Sequence, residues 1–328
     1  MNFRDLPKIE LHVHLDCCLS YDVVKKIDPE IDYLNFKKKF QAGFSSNSLS
    51  DYIKCADNAI NLMQNKLNIE LVIDDFFDQL KYDNVIYCEI RFAPLLHLEN
   101  GLNGKEVVRI VCNSVSKNVK RTGIIAGIIL CTLRHYSNQE SMETVKLAKM
   151  FKNNGVVGFD LAADEAGYSL NNNVSAFNYA KENNINCTTH AGEAKGSESI
   201  WESIEKLKTK RIGHGVRCLE DKKLISYLKE KDYHLEICIS SNIKTKTFNK
   251  IEDHPISDIY NSSISLSINT DGRTISDTNL TKEYEIISSK FNWSTKDFKQ
   301  CNLEAIKYSF TSDKVKSYLI DIINHEYV

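Results

Sequence analysis

Short runs rich in β-branched and aromatic residues recur eight times along the chain, each separated from the next by a stretch with helical periodicity. The runs are "IELHV" (9–13), "VIYCEIRFA" (85–93), "IIAGIILC" (124–131), "VVGFDLA" (156–162), "INCTTH" (185–190), "KRIGHG" (210–215), "YHLEICI" (233–239) and "ISLSIN" (264–269). Several are nearly continuous apolar segments. A half-exposed strand would alternate, so this pattern belongs to parallel strands covered on both faces. The intervening segments, such as "SMETVKLAKMFKNN" and "SESIWESIEKLKTK", are amphipathic. Eight strand–helix repeats in 328 residues predict an α/β protein, a (β/α)8 TIM barrel filling residues 1–328 as one domain. An open doubly wound sheet is the main alternative, but no Gly-rich fingerprint follows the first strand. The first connection, residues 20–84, is far longer than the others. It predicts extra helices that form a lid over the barrel mouth. The tail after residue 280 predicts two or three closing helices.

Composition limits the partners. The 42 basic and 44 acidic side chains leave a formal net charge of −2, so no electrostatic footprint for nucleic acid or an anionic membrane is present. The N-terminal "MNFRDLPKIE" lacks the apolar core of a signal peptide, and the longest apolar run, "GIIAGIILC" (123–131), is too short to span a bilayer. The expectation is a cytoplasmic protein. Ten cysteines are scattered with no CxxC pair, which reads as reduced, mostly buried thiols. Nothing in the pattern indicates an oligomeric state.

In barrels of this kind the chemistry gathers where strands end and the following loops begin. The strand ends here carry a distinctive polar set. Strand 1 gives His12, His14 and Asp16. Strand 5 ends in "THAGE" with His190 and Glu193, strand 6 in "GHG" with His214, and strand 8 in "NTDG" with Asp271. His12 and His14 are two apart, so they share one strand face. Such a pair alone is more often packing than ligation. With His190 and Asp271 at equivalent strand ends, it forms an N3O donor set of the kind that binds zinc and leaves a position open to water. Glu193 reads by default as a solvated loop acid or a helix N-terminal acid. Next to such a site it becomes a proton shuttle. His214, flanked by glycines, is either a core histidine or a contact to the attacking water.

These motifs have a family resemblance. "PKIELHVHLD", "DLAADE", "HAGE", "RIGHG", "EICISSN" and "SINTD" occur in an order and spacing similar to those of the adenosine deaminase family of zinc amidohydrolases. "CEIRFAP" and "DHPISDIY" also resemble segments of that family. The similarity runs from about Pro7 to about Tyr284. It implies that His12, His14, His190 and Asp271 bind one zinc per chain, lowering the pKa of water to roughly 7. It further implies attack at C6 of a purine nucleoside with loss of ammonia. Glu193 would protonate N1, His214 would orient or deprotonate the attacking water, and Asp271 would also accept a hydrogen bond from it. His14, Asp16, Ala163 and the residue 272 position would contact the substrate, Asp16 at the ribose. A two-metal hydrolase would commonly carry a carboxylated lysine at the end of strand 4, and "VVGFDLAADE" has none.

The chain departs from the family pattern at three positions. Gly272 stands where the family has a second aspartate that meets purine N7, leaving Arg273, Asn269 or a water to substitute. Ala163 stands where a glycine N–H meets N3, which requires backbone angles open to alanine. Cys17 replaces a glycine and raises the question of thiol sensitivity. The leading expectation is hydrolytic deamination of adenosine or 2'-deoxyadenosine to the inosine product in purine salvage. Two other readings stay open: the same chemistry on another aminopurine (a modified adenine nucleoside or adenine), and a non-catalytic binding protein on the same scaffold.

Overall fold

The computed structural model describes residues 2–43 and 48–327. All eight expected strands are present: β1 (Lys8–His14), β2 (Val85–Phe92), β3 (Ile125–Leu133), β4 (Val156–Ala162), β5 (Asn186–Ala191), β6 (Arg211–His214), β7 (His234–Ile237) and β8 (Ser265–Ile268). They pair in parallel in the order β1 to β8. The seam between β8 and β1 closes through the chain just beyond β8. His14 N–H donates to the Asp271 carbonyl at 2.8 Å, and Asp271 N–H donates to the His12 carbonyl at 3.0 Å. Below them the Asn269 side-chain oxygen accepts from the N–H groups of Leu11 and His12 at 2.8 and 3.0 Å. An amide side chain thus replaces ladder bonds that the short β8 cannot supply, and the sheet has no free edge at this point. The result is the (β/α)8 barrel expected from the eight repeats.

Four helices fill the first connection: α1 (Tyr21–Ile27), α2 (Tyr33–Phe40), α3 (Leu49–Leu62) and α4 (Lys66–Tyr82). Each starts at a side chain that accepts a backbone N–H of its first turn, from Ser20, Asp32, Ser48 and Asn65 respectively. α3 buries Tyr52, Ala56 and Ala59. Tyr52 and Ala56 pack with Ala42 and Ile275 over the mouth of the barrel. The following connections carry α5 (Gly104–Thr122), α6 (Asn138–Phe151), α7 (Val174–Glu182), α8 (Ser197–Leu207), α9 (Lys222–Glu230), α10 (Ile239–Lys244) and α11 (Ile256–Asn261). The tail forms α12 (Leu280–Phe291), α13 (Thr295–Tyr308) and α14 (Asp313–Glu326). From α13, the Asn302 side chain accepts from Ile9 N–H at 2.9 Å and ties the tail to β1. Among the described residues no helix is long and apolar enough to cross a membrane.

The barrel interior is charged as well as apolar, which the apolar runs did not suggest. Arg91 on β2 reaches Glu236 on β7 at 2.7 Å and Asp160 on β4 at 3.2 Å. Arg211 on β6 reaches Glu236 at 2.6 Å and Glu89 on β2 at 2.5 Å. All five side chains are buried. Removing one member of such a network leaves an uncompensated buried charge, a cost of about 3–5 kcal/mol. The network therefore fixes Glu236 and Asp160 rigidly beneath the strand ends.

Candidate active site

His12 and His14 point to the same side of β1, as their spacing required, and meet groups from β5, β6 and the end of β8. One donor atom each from His12, His190, His214 and Asp271 lies within 4.8 Å of the others. His14 joins the cluster, with its Nε2 at 3.2 Å from His190 Nε2 and 3.4 Å from Asp271 Oδ1. The structure thus brings together all four residues read as ligands, and His214 with them.

The partners of the far ring nitrogens separate the histidines. His12 Nδ1 lies 3.0 Å from the Glu236 carboxylate. His190 Nδ1 lies 3.0 Å from the Leu161 carbonyl and 3.3 Å from Asp160. Carbonyls and carboxylates only accept, so in both rings Nδ1 carries the proton and Nε2 presents a lone pair to the cluster. His12 Nε2 is buried without a hydrogen-bond partner, although Asp271 Oδ1 is 3.2 Å away. The Nε2 lone pairs of His12 and His190, converging with the Asp271 carboxylate and with His14 Nε2 close by, fit a divalent cation. His12, His14, His190 and Asp271 can hold one.

His214 is wired in the opposite sense. Its Nδ1 faces the Asn242 amide nitrogen at 3.2 Å, and that same nitrogen donates to Glu193 Oε1 at 2.9 Å. The Asn242 oxygen is occupied by His254 Nε2 at 3.2 Å, so the amide orientation is set from both ends. His214 Nδ1 then accepts, and Nε2 bears the proton. Burial pushes His214 down to about 4, so the ring is neutral. Its Nε2 lies 3.5 Å from Glu193 Oε2. A proton-bearing nitrogen is a donor and not a ligand, which sets His214 apart from His12 and His190 although it stands equally close.

Glu193 is buried, with Thr245 donating to Oε1 at 3.0 Å. Burial, then the charges of Asp271 and Glu165, push it up to about 7. It is therefore available as a carboxylic acid near neutral pH. The loop that carries it is held by a residue the sequence reading did not single out. The Glu165 carboxylate, from "AADE" after β4, accepts backbone N–H groups of Gly192 (2.7 Å), Glu193 (3.0 Å), Ala194 (2.6 Å) and Lys195 (3.1 Å) and the Ser199 hydroxyl. Burial alone would raise Glu165. The Ser199 hydroxyl, Arg134 and the backbone donors instead hold it below the ordinary range. Asp160 and Glu236, which orient His190 and His12, were missed too. Their signal was present as single acids inside apolar strands, in "GFDLA" and "HLEIC".

Three non-glycine residues at the strand ends take left-handed backbone angles: Ala163 (φ 76°), His214 (φ 62°) and Asp271 (φ 60°). Each costs of order 1 kcal/mol, and strain of this kind persists where the surroundings over-determine it, characteristically at functional sites. For Ala163 the condition set by the sequence is therefore met only with strain.

Above the cluster lies a cavity of about 210 Å³ lined by His14, Asp16, Ala163, Glu193, His214 and Asp271, with an apolar wall from α3. Asp16 faces it, pushed up to about 6 by burial. Cys17 lines it as well, but burial and the charges of Asp16 and Asp271 keep its thiol protonated well above the usual range, which argues against ready alkylation. Gly272 is not part of the lining. A Cβ there would stand 2.7 Å from the Tyr52 hydroxyl and 2.9 Å from Cys17 Cβ. Neither side chain suggested as a substitute is available. Arg273 is bound to Glu10 at 2.5 Å and Asp83 at 3.1 Å, and Asn269 is spent on the β1 backbone.

Comparison with known proteins gives a consistent picture. A family profile described as adenosine deaminase matches residues 7–326. An adenosine deaminase of Clostridium perfringens (strain 13 / Type A) is 37% identical over 326 residues, covering 97% of this chain and 98% of that protein. Among solved structures, an Arabidopsis N6-mAMP deaminase matches with a TM-score of 0.88 at 26% identity, over 98% of this chain and 99% of that one. The adenine deaminase of Arthrobacter aurescens matches with a TM-score of 0.90 at 21% identity, over 98% of each chain, a likeness of fold.

Proposed function

The chain belongs to the adenosine deaminase family, and from that premise we propose that it deaminates adenosine and 2'-deoxyadenosine, giving the inosine product and ammonia. The observation that carries the choice of a neutral nucleoside is the charge of the cavity. Its described lining holds five acids, Asp16, Asp57, Glu165, Glu193 and Asp271, and no Lys or Arg. A phosphate on the substrate calls for cationic or clustered N–H donors, and the described lining supplies no Lys or Arg to meet one. The hydroxyls of a pentose suit carboxylate acceptors such as Asp16.

His12, His14, His190 and Asp271 would hold one zinc, which as a Lewis acid brings the pKa of water to about 7. Glu193, protonated near neutral pH, delivers its proton to N1 of the purine. This lets C6 accept the attacking oxygen without building charge on the ring; the proton still on that oxygen then passes to the amino group as the C6–N bond breaks, so that C6=O forms and ammonia leaves. His214, with its proton on Nε2, donates to the oxygen as negative charge develops there, a role in orientation and stabilisation and not in proton removal. Asn242 enforces that tautomer while keeping the Glu193 carboxyl turned toward the cluster.

The test is a panel of adenosine, 2'-deoxyadenosine, adenine, AMP and N6-methyl-AMP, read by ammonia release, with metal quantified in the same sample. The expected result is one zinc per chain and a kcat/KM for the two nucleosides at least about 100-fold above that for either nucleotide, corresponding to about 2.7 kcal/mol of discrimination. Preference for a nucleotide would overturn the reading of the cavity. Full zinc occupancy in His12→Ala would overturn the ligand set.

A further inference from the structure

Tyr52 is the one phenol in the described lining of the cavity, and α3 of the long first connection places it there. It is 5% exposed. Its hydroxyl fills the space beside Gly272, 2.7 Å from where a Cβ would stand, immediately after the Asp271 donor. It touches Ser276 Oγ at 2.9 Å. Because Ser276 can donate to the phenol oxygen, the phenol proton is left for another acceptor, which is Ser241 (its own proton donated to Asp271 Oδ2 at 2.7 Å) until a substrate atom on the cavity side replaces it. A phenol keeps its proton throughout the neutral range, its ordinary pKa being about 10. Tyr52 is thus a neutral donor at every working pH.

The barrel order fixes what this donor faces. Glu193 follows β5, whereas Cys17 follows β1 and Gly272 follows β8. In an eight-stranded barrel β5 stands across the mouth from β1 and its neighbour β8. N1 and N7 of a purine lie on opposite sides of C6. A ring whose N1 faces Glu193 therefore turns its N7 edge toward the β8–β1 wall. N7 of a neutral adenine is an acceptor without a proton, and the group waiting there is a hydroxyl donor.

We propose that the Tyr52 hydroxyl is the hydrogen-bond donor to N7 of the substrate, supplied by a helix of the β1–β2 connection in place of any side chain at residue 272. Gly272 is then required as the residue that leaves room for this hydroxyl. The assignment rests on the reading of Glu193 as the N1 proton donor, and it makes Tyr52 a specificity-determining residue.

The test compares Tyr52→Phe with the unaltered enzyme, both zinc-loaded, on adenosine and on 7-deazaadenosine, which has carbon in place of N7. Affinity is read as KM, or by competition for a compound that does not turn over. The unaltered enzyme is expected to prefer adenosine. Tyr52→Phe is expected to weaken adenosine about 5- to 10-fold and leave 7-deazaadenosine within about twofold, so that the preference collapses. Gly272→Ala, whose methyl displaces the hydroxyl, is expected to reproduce the selective loss even if Tyr52→Phe fails to fold. Equal losses on both substrates would assign Tyr52 a packing role and overturn the proposal. So would a preference that survives both variants. Failure of the unaltered enzyme to deaminate adenosine would instead overturn the functional reading, and the N7 assignment with it.

Discussion

Replacing Glu165 by Gln tests whether the loop carrying the proton donor is held by one carboxylate. In the native arrangement Oε2 accepts from the N–H groups of Glu193, Ala194 and Lys195, and Oε1 from Gly192 N–H and the Ser199 hydroxyl. Gln keeps one oxygen. If it stays with the three N–H groups, the new NH2 faces Gly192 N–H, donor against donor. Ser199 can rotate to accept, but the Gly192 N–H is left buried and unpaired, at about 1–3 kcal/mol, and the three remaining bonds lose their charge assistance. The expected total is about 3 kcal/mol, a fall in Tm of about 4–5 °C for a chain of this size. Displacing Glu193 by about 1 Å costs up to about 100-fold in rate. We therefore expect kcat to drop about 10- to 100-fold with zinc content unchanged, because Glu165 makes no hydrogen bond to a ligand side chain. The pH dependence follows from a folded pKa held below the ordinary 4.5. Native stability from this group is full above that value and lost as pH falls through the folded pKa, so the Tm gap between the two proteins should narrow below pH 4.5. Thermal unfolding across pH, ammonia release and metal analysis on the same preparations give all three readouts. A variant with unchanged Tm and kcat would refute the clamp, and loss of zinc in parallel with activity would place its effect on the ligands and not on the loop.

Three further substitutions probe other parts of the argument. Glu193→Gln should retain zinc and lose about 10³-fold or more in kcat, and near-normal turnover would remove Glu193 from the chemistry. Ala163→Val should cost about 2 kcal/mol, because a β-branched residue is a genuine outlier at φ 76°. Ala163→Gly, by contrast, should shift stability by no more than about 0.5 kcal/mol, since relief of strain offsets unfolded-state entropy; equal behaviour of the two in thermal unfolding would argue against the left-handed backbone. Glu283 on α12 is buried and pushed up by that burial to about 7, so its ionisation costs stability as pH rises from its ordinary value to 7. Glu283→Gln should be more stable than the native chain by about 1–3 kcal/mol at pH 8 and should lose that advantage below about pH 4.5; lower stability at pH 8 would contradict the assignment.

The sequence by itself determined the barrel, because each strand announces itself locally as an apolar run bounded by polar turns, and eight such runs leave few topologies. It also located His12, His14, His190, Glu193, His214 and Asp271 at strand ends, where a residue's position along its own strand says which end of the barrel it occupies. It set His12, His14 and His190 apart from His214, but it did not supply the ring tautomers that carry the distinction. Those depend on which atom faces Nδ1, and Glu236, Asp160 and Asn242 come from other strands and from α10. Nor did it find Glu165 as a clamp, because four backbone donors on another loop leave no trace in side-chain identity. Residue 272 shows the limit most clearly. From the sequence, Gly272 is a missing carboxylate with Arg273 or Asn269 as its natural substitutes. The tertiary structure commits both to Glu10, Asp83 and the β1 backbone and places Tyr52, 220 positions earlier in the chain, in the space the glycine leaves open. Local pattern records periodicity and burial, whereas a contact between α3 and the end of β8 exists only once the long connection has folded over the barrel mouth.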